Sequence, residues 1–375
     1  MIPNPSRLRR SSAALPGIAA VFCLTAFVPQ VQAEHAGLPL LTHSAVGHTA
    51  YVPAGDLEGR FTVAGSDTMQ PLILRLAGEF HRLHPKTKIA VQGGGSEMAM
   101  MQFLENQATI RRGDAKAQGH LVSGHVSLLA SSRPLNEEER KDFQSRFGFE
   151  AIDMPIALDA VAIYVHRDNP IQGLTLEQID GIFSQSHKRR SQSITSWGDL
   201  GLDGLATQRI AVHGRDKKSG TRWFFKHVAL LDGELRDDVR EAIGSASEIL
   251  AISRDPWAIG YAGAGFQTSY VRTVPIAEKA GGAFVLPTDV TASDRSYPLS
   301  RHLYLYTSKT VSDMEPAVRE FLKFINSSEG QQTVAKAGAY PLSTQDVAAN
   351  LKALGVGSVA ATPTVPLDSA TALRQ

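Results

Sequence analysis

This chain of 375 residues has almost no cysteine. Its single one, Cys23, lies in the first thirty-three residues. Those residues read as an export signal. Arg7, Arg9 and Arg10 form a positive start, Ala13 to Phe27 a short apolar core, and Val31-Gln32-Ala33 a small-residue cleavage site. Cleavage there would leave no cysteine, which excludes disulfides, thiol chemistry and cysteine-zinc sites. A long apolar run is also lacking. The signal core is interrupted at Pro16 and Pro29 and falls short of the roughly 20 residues a span needs, so a retained anchor is the weaker reading. Arg9-Arg10 lacks the following residues expected of twin-arginine export. Cys23 follows Val21-Phe22, not the small residues that precede a lipid-modified cysteine.

Charge imbalance is missing too. The formal net charge is +1, and removal of the signal takes it to −2, so a nucleic-acid partner is not expected. Lys188-Arg189-Arg190 is a short basic patch in a loop. His35, His43 and His48 match no metal-ligand spacing, and no metal or other cofactor is expected. Gly94-Gly95-Ser96-Glu97 lacks the closing glycine of a nucleophile elbow. His166-Arg167-Asp168-Asn169 lacks the spacing of a kinase catalytic loop. No internal repeat is visible. The composition, 43% hydrophobic and 20% charged, is that of a globular protein.

What is present is an alternation of strands and helices. Residues 34–58 read as a loosely ordered leader. Order starts near Gly59 with a strand to Gly65. A helix follows, with Pro71 in its first turn and Leu72, Ile73, Leu76, Phe80 and Leu83 at helical spacing before Pro85. Strands are expected over 88–92, 126–130, 209–213, 259–263 and 302–307, and helices over 97–106, 137–147, 245–252 and 316–325. Thr175 and Gln178 mark a capping box for a helix to Phe183. The apolar, β-branched stretch 152–166 suits a strand crossing between two lobes. This alternation predicts an α/β protein with parallel sheets. Residues 346–375 read as a flexible C-terminal tail.

The chemistry gathers in turns that link a strand to a helix: Gly65-Ser66-Asp67-Thr68, Gly94-Gly95-Ser96, Ser131-Ser132-Arg133 and Ser219-Gly220-Thr221. Each turn is a potential anion nest, although Ser, Thr and Asp are also ordinary helix caps. Arg215 stands four residues before Ser219. A guanidinium, free backbone N–H groups and hydroxyls at a helix start make a cradle for a tetrahedral oxyanion. The start carries about half a unit of positive charge. Gly220 allows close backbone approach. The competing reading of Arg215 is a surface arginine paired with Asp216. Asp67 is open between two roles. A carboxylate beside an anion is favourable only with a proton between them, which monohydrogen phosphate carries and sulfate does not. Otherwise Asp67 caps the helix that starts near Pro71.

These motifs resemble the periplasmic phosphate-binding proteins of phosphate ABC transporters, from about Gly59 to Ser343. Flanking stretches agree: Asp159-Ala160-Val161-Ala162, His166-Arg167-Asp168-Asn169-Pro170, Trp197-Gly198-Asp199-Leu200, Ile259-Gly260-Tyr261 and Tyr297-Pro298-Leu299-Ser300-Arg301. The resemblance implies a type II-like periplasmic binding fold of two α/β lobes joined by two crossing strands. Lobe one would be 59–157 plus 303–345, and lobe two 158–302, within a binding domain of 59–345. It implies high-affinity capture of inorganic phosphate and delivery to membrane permease subunits by a monomer that is not an enzyme. An exported phosphate-binding adhesin or sensor, or a phosphatase, are the alternatives. By resemblance Arg215, Ser219, Gly220, Thr221, Ser96, Asp67 and Thr68 are ligands. Many relatives carry an aspartate in the third turn as proton acceptor. Here Ser132 stands there with Arg133 beside it; both are expected among the phosphate-binding residues, and Asp67 is left as the candidate acceptor.

Overall fold

A computed structural model describes residues 48–105 and 125–356. The signal of residues 1–33 and the end of the tail, 357–375, lie outside the described residues. The first part of the chain runs β1 (Gly59–Gly65), α1 (Gln70–Leu83), β2 (Thr87–Gln92), α2 (Ser96–Glu105), β3 (Leu128–Ser131) and α3 (Glu137–Phe147). The long β4 (Met154–His166) leads to β5 (Leu174–Thr175), α4 (Leu176–Phe183), β6 (Ala211–Arg215), α5 (Gly220–Ala229), β7 (Arg240–Ala242) and α6 (Ser245–Ile252). After these come β8 (Ala258–Gly263), β9 (Val271–Val274), β10 (Ile276–Ala277) and α7 (Asp289–Ser293). Then β11 (Ser300–Thr307), α8 (Pro316–Ile325), α9 (Ser328–Lys336) and α10 (Thr344–Ala353) complete the order.

Local chemistry explains the boundaries. Pro71 opens α1, which buries Leu72, Ile73, Leu76, Ala77 and Phe80 on one face. Asn136 and Glu139 form a capping box on α3, and Thr175 and Gln178 form the expected one on α4. Ser219 caps α5 by accepting the Arg222 N–H at 3.3 Å.

The strands form one sheet in the order β2-β1-β3-β11-β4-β8-β6-β7, with β9 also on β4; β5 and β10 pair separately. The expected parallel sheet is present only in part. β1 pairs in parallel with β2 and β3, and β6 with β7 and β8. The strands between these groups are antiparallel. β11 pairs antiparallel with β3 and β4, and β4 with β8 and β9. Helical crossovers keep each outer group parallel, while the chain crosses once in each direction between the groups.

β4 is shared between the two lobes. Residues 154–160 pair with β11, and residues 161–165 with β8. One apolar core packs around Phe61, Phe80, Leu128 and Phe321, and another around Ile163, Phe183, Phe225 and Tyr261.

Residues 34–47 of the leader also lie outside the described residues, and the expectations for the ends are corrected only over 48–58 and 346–356. The leader is tied down by residue 49, because Thr49 O accepts the Ser328 N–H at 2.9 Å and the Tyr51 hydroxyl donates to Glu320 at 3.0 Å. The tail does not begin at residue 346. Ser343 caps α10 by accepting the Asp346 N–H at 3.1 Å, and Val347 and Leu354 are buried.

Candidate functional site

The parallel groups place their turns at the carboxyl ends of β1, β2, β3, β6 and β7, where open α/β sheets bind ligands. Four of these turns were expected from the sequence. The fifth, between β7 and α6, brings Ser245.

Arg215 ends β6 and is fully buried, not a surface residue. Its Nη1 donates to Ser245 Oγ at 2.8 Å and to Thr68 Oγ1 at 3.4 Å, and its Nη2 to the Ile243 carbonyl at 3.0 Å. Asp67 Oδ2 lies 3.7 Å from Nη2. The Nε–H has no partner among the described residues. A buried cationic donor in that position is suited to a negatively charged acceptor.

Thr68 Oγ1 lies 2.9 Å from Thr221 Oγ1 and 3.2 Å from Ser245 Oγ. Ser96 Oγ accepts the Ser132 N–H at 3.2 Å and lies 3.3 Å from Ser132 Oγ. Gly220 fits against both serines, since a Cβ there would lie 2.6 Å from Ser96 Oγ and 2.8 Å from Ser132 Oγ. Gly95, at φ +89°, faces the Lys218 carbonyl, which also accepts the Glu97 N–H at 3.1 Å. Thr68, Ser96, Ser132, Arg215, Gly220 and Thr221 therefore meet in one buried cluster. Ser219 stands at its edge as the α5 cap.

Asp67 does not cap α1. The N-cap position is Met69, without a side-chain bond, and Asp67 Oδ1 instead accepts the Gly94 N–H at 2.9 Å. Its other oxygen faces Arg215. Burial pushes the neighbouring Asp216 carboxyl up, opposed by Arg215 and reinforced by Asp67.

Arg133 is not brought into the cluster. Nε and Nη2 donate to Glu97 at 2.6 and 2.8 Å, and Nη2 and Nη1 to Glu139 at 2.6 and 2.7 Å. Nη1 also reaches the Pro134 carbonyl at 2.9 Å, so all five donors are committed. The capping box fixes Glu139 where it captures this guanidinium, which stacks 4.9 Å from the Trp223 ring.

Sequence reasoning missed Ser245, Arg301, Asp159 and Glu248 as site neighbours. Arg301 and Asp159 face each other across β11 and β4, and Arg301 Nη2 reaches Asp159 Oδ2 at 2.7 Å and Thr221 Oγ1 at 3.1 Å. The available signal was an aspartate inside an apolar strand, which demands a partner. Glu248, on α6, accepts the Tyr261 N–H at 3.0 Å. Burial pushes its carboxyl up to about 8, against the pull of Arg215 and of that N–H.

The PBP superfamily domain matches residues 50–329. A phosphate-binding protein PstS of Pseudomonas aeruginosa is 37% identical over 309 residues, covering 82% of this chain and 90% of that protein. The chain belongs to the PstS phosphate-binding protein family. A PstS protein of Staphylococcus epidermidis is 25% identical, over 74% of this chain and 77% of its own length. Among solved structures, a Clostridium perfringens substrate-binding protein with bound phosphate, attributed to a phosphate ABC transporter, has a TM-score of 0.61 at 24% identity. It covers 76% of this chain and is itself covered completely. An ABC-type phosphate transport receptor of Vibrio cholerae has a TM-score of 0.56 at 23% identity, over 75% of this chain and all of its own. These likenesses establish the two-lobed PstS fold. Among the described residues, no helix is long and apolar enough to cross a membrane.

Proposed function

We propose that this chain captures inorganic phosphate and delivers it, unchanged, to the permease of a phosphate ABC transporter. The observation that carries the reading is the buried Arg215 at the end of β6, whose Nη1 reaches the Thr68 hydroxyl next to that of Thr221 and whose Nε–H has no partner among the described residues. A desolvated guanidinium and a helix start supply charge and donors without the reorganisation water would need. Membership of the PstS family supports phosphate as the anion.

In this reading Arg215, Thr68, Ser96, Ser132, Ser219, Gly220 and Thr221 surround the anion, and Asp67 accepts its proton. The Arg133 guanidinium is left out, because its donors are committed to two glutamates. The lobes divide near 158 and 302, and closure of one on the other brings the turns together around the ligand. The protein works as a monomer in the periplasm, with phosphate as ligand and no cofactor. Isothermal titration of the mature protein, stripped of phosphate by unfolding and refolding, is expected to give saturable phosphate binding and little heat with sulfate. An absence of phosphate binding in correctly folded, stripped protein would overturn the reading.

A further inference from the structure

Arg301 joins both lobes at the point where their turns meet. It sits on β11, in register with Asp159 on β4, so it belongs to the paired strands that cross between the lobes. Its Nε and Nη2 donate to Asp159 Oδ2 at 3.0 and 2.7 Å. Nη1 donates to the Ser132 carbonyl at 3.1 Å, in the turn after β3, and Nη2 to Thr221 Oγ1 at 3.1 Å, in the first turn of α5. The Arg301 and Asp159 side chains are only 2% and 5% exposed, and the guanidinium carbon lies 5.4 Å from the Phe224 ring centre.

A guanidinium can only donate, whereas a hydroxyl has one proton and two acceptor positions. The N–H from Arg301 occupies an acceptor position of Thr221. One acceptor position and the proton remain, and of these an anion can use only the proton. Thr68 is treated alike from the other side, because Arg215 Nη1 reaches its hydroxyl at 3.4 Å. Two arginines thus occupy acceptor positions on two adjacent hydroxyls that share one hydrogen bond at 2.9 Å; an oxyanion, which offers only acceptors on its unprotonated oxygens, would replace that bond by drawing their protons to itself. Asp159 offsets the charge of Arg301, so this arginine contributes direction more than net charge.

We propose that Arg301 is a positioning residue of the anion site, holding the Thr221 hydroxyl as a donor to phosphate and tying the Ser132 turn to the start of α5. Burial draws the Arg301 pKa down, Asp159 opposes this, and Arg215 adds to it. An anion beside the two guanidiniums would relieve their mutual repulsion.

The inference rests on the phosphate reading, and calorimetry with inorganic phosphate on stripped protein tests it. Arg301→Lys keeps the charge but cannot serve Asp159, Ser132 and Thr221 together, and is expected to weaken phosphate binding at least tenfold. Thr221→Val, with Arg301 intact, is expected to do the same, while Thr221→Ser stays near wild type. The double variant Arg301→Lys/Thr221→Val should bind little worse than the weaker single variant, because both changes remove one hydrogen-bonded unit. A merely structural role for Arg301 would give losses that add. Wild-type binding with additive losses overturns the inference alone, as does a Thr221→Val variant that binds like wild type. That second arm stands even if Arg301→Lys does not fold. A wild-type protein that binds no phosphate overturns the phosphate reading as well.

Discussion

Gly220 and Ser96 stand on turns from different parallel groups of the sheet, yet a single carbon atom added to Gly220 would lie 2.6 Å from the Ser96 hydroxyl oxygen. The closed cluster is therefore fitted at one methyl group's resolution. Gly220→Ala would force the two turns apart in the closed state. Overpacking costs about 1–3 kcal/mol, so phosphate affinity should fall by about tenfold or more. Titration calorimetry measures this, with the thermal midpoint of the ligand-free protein as a control for folding. An affinity equal to wild type would show that the lobes close without this contact.

Arg215→Ala should reduce phosphate affinity by about 100-fold or more, since truncating one partner of a buried charged contact costs about 2–5 kcal/mol. The buried anion would lose its main cation, and Asp67 would be left facing it. Phosphate titration of the folded variant decides the matter, and near-native affinity would place the anion elsewhere.

Asp67 tests selectivity. Its Oδ2 faces Arg215 while Oδ1 is held by the Gly94 N–H, so the carboxylate is fixed at the site edge. Asp67→Asn removes the repulsion toward a fully deprotonated anion. The phosphate-to-sulfate affinity ratio should fall by about tenfold, the equivalent of about 1.4 kcal/mol. A ratio that does not move would assign the proton acceptor to another group.

Arg133 should behave in the opposite way from Arg215. Arg133→Met leaves Glu97 and Glu139 without their shared cation. Breaking a fully buried pair costs about 3–5 kcal/mol, and these carboxylates keep some solvent contact, so a loss of about 2 kcal/mol is expected. Urea unfolding reads the stability. The folded variant should lose less phosphate affinity than Arg215→Ala, and a loss as large would return Arg133 to the site.

Glu248 gives a pH signature. Its folded-state carboxyl is raised to about 8 by burial, above the ordinary glutamate value near 4.5. The folded protein therefore holds a proton that the unfolded chain has released. The associated stability is complete below about pH 4.5 and declines as pH rises toward 8, by on the order of 1 kcal/mol per pH unit. Glu248→Gln keeps the shape and an acceptor for the Tyr261 N–H but cannot ionise. Unfolding curves between pH 5 and 8 should show a wild-type decline that the variant lacks. Parallel curves would mean that Glu248 ionises normally in the fold.

Residues that act together within a few positions of each other were the legible part of this site. Arg215 and Ser219-Gly220-Thr221 are joined by one turn and announce a helix start, and α4 carried its capping box openly. Arg301 and Asp159 are far apart in sequence and become partners only through the antiparallel register of β4 and β11. Nothing along either strand fixes that register. Ser245 looked like an ordinary helix start because the strand before it, β7, has only three residues. Arg133 misled by adjacency: it follows Ser132, but the direction of its side chain was set by glutamates on α2 and α3. The expected parallel pairing is present within each outer group of strands, and the antiparallel pairing lies at the crossing strands. Alternating elements describe each outer group, and the crossing strand at 152–166 was legible as a strand, but its antiparallel pairing with β11 and β8 is set by residues far away in the sequence.

β4 and β11 also govern the order in which the chain can be completed. Everything from β5 to α7 is one uninterrupted stretch that can collapse on itself as soon as it is available. The first lobe cannot, because β3 finds its neighbour β11 only at the far end of the chain. That pairing encloses a very long loop and carries a correspondingly large closure entropy. A fragment ending before Ser300 would leave an open, apolar sheet edge on β3, prone to pairing with other chains. The lobe that is begun first in synthesis is thus finished last.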